Sequence, residues 1–132
     1  MITTTAASTA SAPTTTHSGP PRSTDPAAAH PGPTLAGLAA GLAARINPLF
    51  SQQEAPIRHV LALAEEAGEF VGAYRRWAGM ARRTGGWSEV QAELADVVIT
   101  AYLTAHTLGI DLDAACQDKA QVIRTRGWKD PR

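Results

Sequence analysis

At 132 residues the chain has room for one modest domain. Lys+Arg and Asp+Glu are balanced at twelve each, which excludes the basic excess of a protein that coats DNA or RNA. The single cysteine excludes an internal disulfide and a thiolate-built zinc site, and no stretch approaches the ~20 apolar residues of a membrane span.

Residues 1–33 are almost entirely Thr, Ala, Ser and Pro, with Ile2 the one large aliphatic residue after Met1. Such a segment cannot bury enough apolar surface to offset its ordering entropy, so a disordered tail is expected. It has no basic start followed by an apolar run, and a cytoplasmic location is the expectation. The ordered domain is expected over 34–132.

From Thr34 onward the pattern is helical, without strand-like alternation. A first helix is expected from Thr34 to about Ile46, with Leu35, Leu38, Leu42 and Ile46 on one side and Asn47-Pro48 ending it. A second begins near Ala55-Pro56, where proline suits the first turn, and runs to about Met80. Its apolar arc comprises Val60, Leu61, Ala64, Ala67, Gly68, Val71 and Tyr74, widened by Leu63 and Phe70. An arc of that breadth suggests burial against more than one neighbour, in a bundle or an oligomer.

Arg82-Arg83-Thr84-Gly85-Gly86 reads as a loop. Ser88 with Gln91 reads as a capping box opening a third helix, which Gly109 ends after Leu108. Its apolar face holds Val90, Leu94, Val97, Val98, Ala101, Ala105 and Leu108. A fourth helix starts at Asp111 or Asp113 and ends before Gly127, with Leu112, Cys116, Val122 and Ile123 inward. Cys116 reads as a small apolar helix residue. His59 and His106 lack metal-ligand spacing and read as partly exposed. The fold class is therefore all-α, with four helices and two longer central ones.

The second and third helices each carry acids three residues apart, Glu66 with Glu69 and Glu93 with Asp96, and Glu65 joins Glu69 at a spacing of four. These spacings stack the carboxylates on one face. Stacked like charges cost a few tenths of a kcal/mol per pair, and more beside apolar surface, so a cation is expected among them. Four or five hard oxygen donors without a His or Cys set favour Mg²⁺ or Mn²⁺.

The run Leu63-Ala64-Glu65-Glu66-Ala67-Gly68-Glu69-Phe70, followed by Ala92-Glu93-Leu94-Ala95-Asp96-Val97-Val98, resembles the EExxE…ExxD signature of the MazG-like all-α nucleotide pyrophosphohydrolases. The 23 residues between Glu69 and Glu93 are similar to the gap usual in that family, and the resemblance extends from about Ile57 to Trp128. It implies a four-helix MazG-like bundle in which Glu66, Glu69, Glu93 and Asp96 hold Mg²⁺. Glu65 would help to bind a second ion or orient the attacking water. The implied reaction splits a nucleoside triphosphate between its α and β phosphates. Family members commonly form dimers or tetramers, so a homodimer or homotetramer is expected.

Lys119 and Arg126 match cationic residues that the family places near the end of its last helix. Ile123 departs from the pattern, since relatives often have Asn there, and Arg124 is the residue to which that contact would pass. Trp77, eight residues beyond Glu69, is the candidate for stacking on the base, with Trp87 and Tyr102 as the other aromatics considered. Arg75, Arg76, Arg82 and Arg83 flank the loop, either to attract a polyphosphate or as a solvated surface. Two alternatives stay open: a phosphoribosyl-ATP pyrophosphohydrolase, which shares the carboxylate pattern, and a non-catalytic helical dimerisation or regulatory module.

Overall fold

The computed structural model describes residues 32–126. The tail expected over 1–33 lies outside the described residues except for its last two positions, as does Trp128. Four α-helices follow one another: α1 (Leu35–Ile46), α2 (Glu54–Trp77), α3 (Trp87–Leu108) and α4 (Leu112–Arg126), with a single 3-10 turn at Asn47–Leu49 after α1. The described residues contain no strand, so the all-α class holds. Among the described residues no helix is long and apolar enough to cross a membrane.

Local chemistry sets the helix ends. Thr34 caps α1 by accepting from the Gly37 amide at 3.1 Å. Ahead of α2, Ser51 and Glu54 form a reciprocal capping box: Ser51 Oγ accepts from the Glu54 amide, and Glu54 Oε2 accepts from the Ser51 amide, each at 3.2 Å. The box expected at Ser88 and Gln91 does not form. The N-cap is the extended Gly86, two residues before Ser88, so α3 begins at Trp87, whose ring packs against Trp77 with centroids 4.8 Å apart. Asp111 accepts from the Ala114 amide at 3.0 Å and opens α4.

Two glycines stop helices. Gly79 has φ +72° and Gly109 φ +69°, the left-handed conformation that side chains with a Cβ resist. Each is followed by an amide that reaches back five residues, Met80 to the Arg75 carbonyl and Ile110 to the Ala105 carbonyl, both at 2.8 Å. Helix α2 therefore ends at Trp77 rather than near Met80.

Partners that climb α2 while descending α3 define an antiparallel pair: His59 with Thr104, Glu69 with Glu93, Arg76 with Glu89. Helix α1 runs alongside α3 in the same sense, Leu35 lying near Leu94 and Val98 and Asn47 bonding Thr107. The core between these helices is made of small residues, Ala39, Ala43, Ala55, Ala73 and Ala105, with Val90 and Leu103. Among the described residues no large side chain is wholly enclosed.

A buried polar chain replaces bulk at one end of this core. His59 is 5% exposed and pairs through Nε2 with Asn47 Oδ1 at 2.8 Å. Since the Asn47 amide nitrogen donates to Thr107 Oγ1 at 3.2 Å, its oxygen is the acceptor and the imidazole donates. Thr104 Oγ1 closes the set by donating to the carbonyls of His59 and Thr100. The expectation of a partly exposed His59 is thus corrected: Asn47, in the 3-10 turn just after α1, gives the imidazole a hydrogen-bond partner that permits its burial. His106 is exposed, as expected.

Most of the apolar arc expected to be buried on α2 points outward in the chain, and only Leu63 and Phe70 at its margins face inward. Ile57 is 61% and Leu61 65% exposed, and Val60, Val71 and Tyr74 are exposed with them. The inward stripe is instead Ala55, His59, Leu63, Glu66, Phe70, Ala73 and Trp77. Helix α4 buries no residue; Cys116 is exposed and Val122 lies open, against the inward positions expected for them.

Candidate metal centre

Glu66 lies half-buried on the stripe of α2 that faces α3, one turn below Phe70 and one above Leu63. Glu93 is likewise half-buried on α3, between Val90 and Val97. The antiparallel packing sets these two half-buried acids against each other, and Glu69 joins them from the exposed rim. One carboxylate oxygen from each of Glu66, Glu69 and Glu93 lies within 4.8 Å of the others.

The electrostatics record the crowding. The Glu66 carboxyl is pushed above its ordinary value, first by desolvation and then by Glu69, Asp96, Glu65 and Glu93. Glu93 is also raised, by desolvation, Glu69, Asp96 and Glu89, against a smaller opposing effect of Arg76. Asp96 lies outside the closest group of three but near enough to act on both acids. Glu65 is exposed beside Glu66.

This donor set suits a hard cation. Oxygens around one octahedral Mg²⁺ are separated by at most ~4.2 Å, twice the usual bond length, so small rotamer changes would gather the three. Glu66, Glu69 and Glu93 could hold the ion directly, with Asp96 beside them.

Other expected site residues are placed less closely. Trp77 is half-buried at the end of α2, stacked between Tyr74 at 5.5 Å and Trp87 at 4.8 Å. Lys119, Arg124 and Arg126 are exposed on α4. Neither Lys119 nor Arg124 forms an ion pair with the carboxylates among the described residues. Tyr102 is half-buried and donates to Asp113 at 2.5 Å. A cleft of about 500 Å³, lined by Ala43, Asn47, Phe50, His106 and Thr107, is remote from the acids: the 13 residues from Glu93 to His106 span about 20 Å of helix.

The raised carboxyls predict a pH dependence for the metal-free protein. A carboxyl raised in the folded state contributes stability that is present below its ordinary value of 4.5 and lost as pH rises through the folded value. His59, lowered by burial, has the opposite slope, so the carboxylate part is isolated by comparison with Glu66→Gln/Glu93→Gln. In melts without divalent ions the two proteins should converge below about pH 4.5 and the variant should be more stable at pH 7. Parallel profiles across this range would contradict the crowding.

No family model, curated protein or solved structure matches the chain.

Proposed function

We propose that the chain is a Mg²⁺-dependent nucleoside triphosphate pyrophosphohydrolase of MazG-like type, cleaving (d)NTPs to (d)NMP and pyrophosphate, in nucleotide-pool house-cleaning in the cytoplasm. The observation that carries the reading is the placing of Glu66 and Glu93 on inward helix stripes where apolar residues would pack. Two facing carboxylates there oppose folding unless a cation joins them. The EExxE…ExxD pattern of the same residues supports it from the sequence side.

Glu66, Glu69, Glu93 and Asp96 would hold Mg²⁺, or Mn²⁺ in its place. When bound, the ion would supply Lewis-acid chemistry, offsetting polyphosphate charge and acidifying nearby water. Glu65, at the solvent edge, accepts the proton of the water that attacks the α-phosphorus. The bond to the bridging oxygen breaks and pyrophosphate leaves. Trp77 offers a stacking surface to the base, and Lys119, Arg124 and Arg126 are cations available to phosphate oxygens.

A panel of dNTPs, NTPs, modified nucleotides and phosphoribosyl-ATP, assayed with Mg²⁺ for pyrophosphate release, tests this reading. Turnover of (d)NTPs is expected. Selective turnover of phosphoribosyl-ATP would favour the alternative enzyme, and absence of any turnover the non-catalytic helical module.

The reading includes self-association as a homodimer or homotetramer. The exposed stripe Ile57, Leu61, Val71 and Tyr74 supports it, because a two-fold axis would set this face against itself across the small Ala64 and Gly68. Sedimentation should give a mass of two or four chains, and Leu61→Asp should reduce it to one. A wild-type monomer at micromolar concentration would refute self-association.

A further inference from the structure

One turn beyond Glu69, the surface turns from acidic to basic. A depression of about 380 Å³ is lined by Gly72, Arg75, Arg76, Ala81, Arg82 and Arg83, without a carboxylate among them. Arg76 connects it to the acids: its guanidinium bonds Glu89 at 2.5 Å and also acts on Glu93. The loop is fitted to that ion pair, since a Cβ on Gly85 would lie 2.6 Å from Glu89 Oε2 and 3.0 Å from Arg76 Cβ. Arg75 makes one long bond, 3.4 Å, to the Met80 carbonyl. Arg82 and Arg83 have no hydrogen bond or ion pair among the described residues.

Arg76 is neutralised by Glu89, but Arg75, Arg82 and Arg83 have no carboxylate partner among the described residues; their guanidinium groups around one concavity repel one another, and an anion relieves that repulsion. Acids and arginines side by side match a ligand that presents both signs, a polyphosphate chelating a divalent cation. The acids alone would repel the unchelated end of such a chain. We propose that the depression seats phosphates of a polyphosphate chain whose neighbouring phosphates lie over Glu66, Glu69 and Glu93. The proposal rests on the hydrolase reading for the identity of the molecule that carries the chain. The arginine seat itself recognises a chain of phosphates, whether part of a nucleotide or inorganic.

The test is binding of inorganic tripolyphosphate by calorimetry, in chelator and without divalent cations, so that hydrolysis and metal binding play no part. Wild type should bind, the arginines holding one end of the chain while the other end, without its cation, stays in solvent clear of the acids. Arg82→Gln/Arg83→Gln, which keeps the bulk of two exposed loop side chains, should bind about tenfold or more weakly, as expected for the loss of charge-assisted bonds. Glu69→Gln should bind at least as tightly as wild type. No binding by wild type, or equal binding by wild type and the double variant, would overturn the proposal. Arginine-dependent binding with no turnover of any nucleotide would uphold the seat while removing the hydrolase reading.

Discussion

Glu69→Ala is expected to lower nucleotide hydrolysis by roughly a hundredfold or more while leaving the fold intact. Loss of a residue that merely orients a metal ligand commonly costs ten- to a hundredfold, so loss of a ligand itself should reach at least the upper figure. Glu69 is exposed and acts by charge on both Glu66 and Glu93. Removing it relieves repulsion in the metal-free protein, so its melting temperature should stay or rise slightly. Asp96→Ala should behave in the same way. Full activity in both variants would mean that the ion, if bound, is held elsewhere. Lost activity together with lost helicity would mean that the acids serve the fold.

The largest stability effect is expected at His59. His59→Ala removes a side chain that is 5% exposed, leaves a cavity, and strips Asn47 Oδ1 of its donor. Cavity and unsatisfied acceptor together should cost about 2–4 kcal/mol. At roughly 4–8 °C per kcal/mol for a domain of this size, the melting temperature should fall by at least about 8 °C. Asn47→Ala should cost less, about 1–2 kcal/mol, because it leaves His59 unpaired without a comparable void. A double-mutant cycle should show the two coupled. Additive effects would indicate that the bond across α1 and α2 contributes nothing.

The helices were legible because their punctuation is local. Thr34 and Gly109 act through bonds to residues within five positions; Gly79 works the same way but lies within the helix expected to reach Met80. Ser51-x-x-Glu54 is an equally readable start signal, whereas Ser88-x-x-Gln91 has the same local pattern but the helix starts two residues earlier, beside a Trp–Trp contact that no local pattern reveals.

Faces were harder to read than ends. On α2 the most apolar stripe is the exposed one, and the stripe that packs on α3 carries His59 and Glu66. Hydrophobicity ranks the second stripe lower because each polar residue counts against burial. It does not register that Asn47 satisfies the imidazole or that alanines permit close packing. The acids were found by their three-residue spacing, which fixes their common face on each helix. That Glu66 and Glu93 are half-buried between the helices, with Glu69 and Asp96 at the exposed rim, depends on how α2 is rotated against α3. That rotation is a tertiary property. The three cations of α4 depend on more still, since this helix buries nothing in the chain.

Mn²⁺ titration followed by electron paramagnetic resonance, in the absence of nucleotide, tests the metal centre most directly. The free-ion signal should be depleted by wild-type protein with at least one ion bound per chain, and Mg²⁺ should compete. Glu66→Gln/Glu93→Gln, with the same fold by circular dichroism, should leave the signal near that of buffer. Equal depletion by wild type and variant, or none by wild type, would contradict a cation site at the facing carboxylates of α2 and α3.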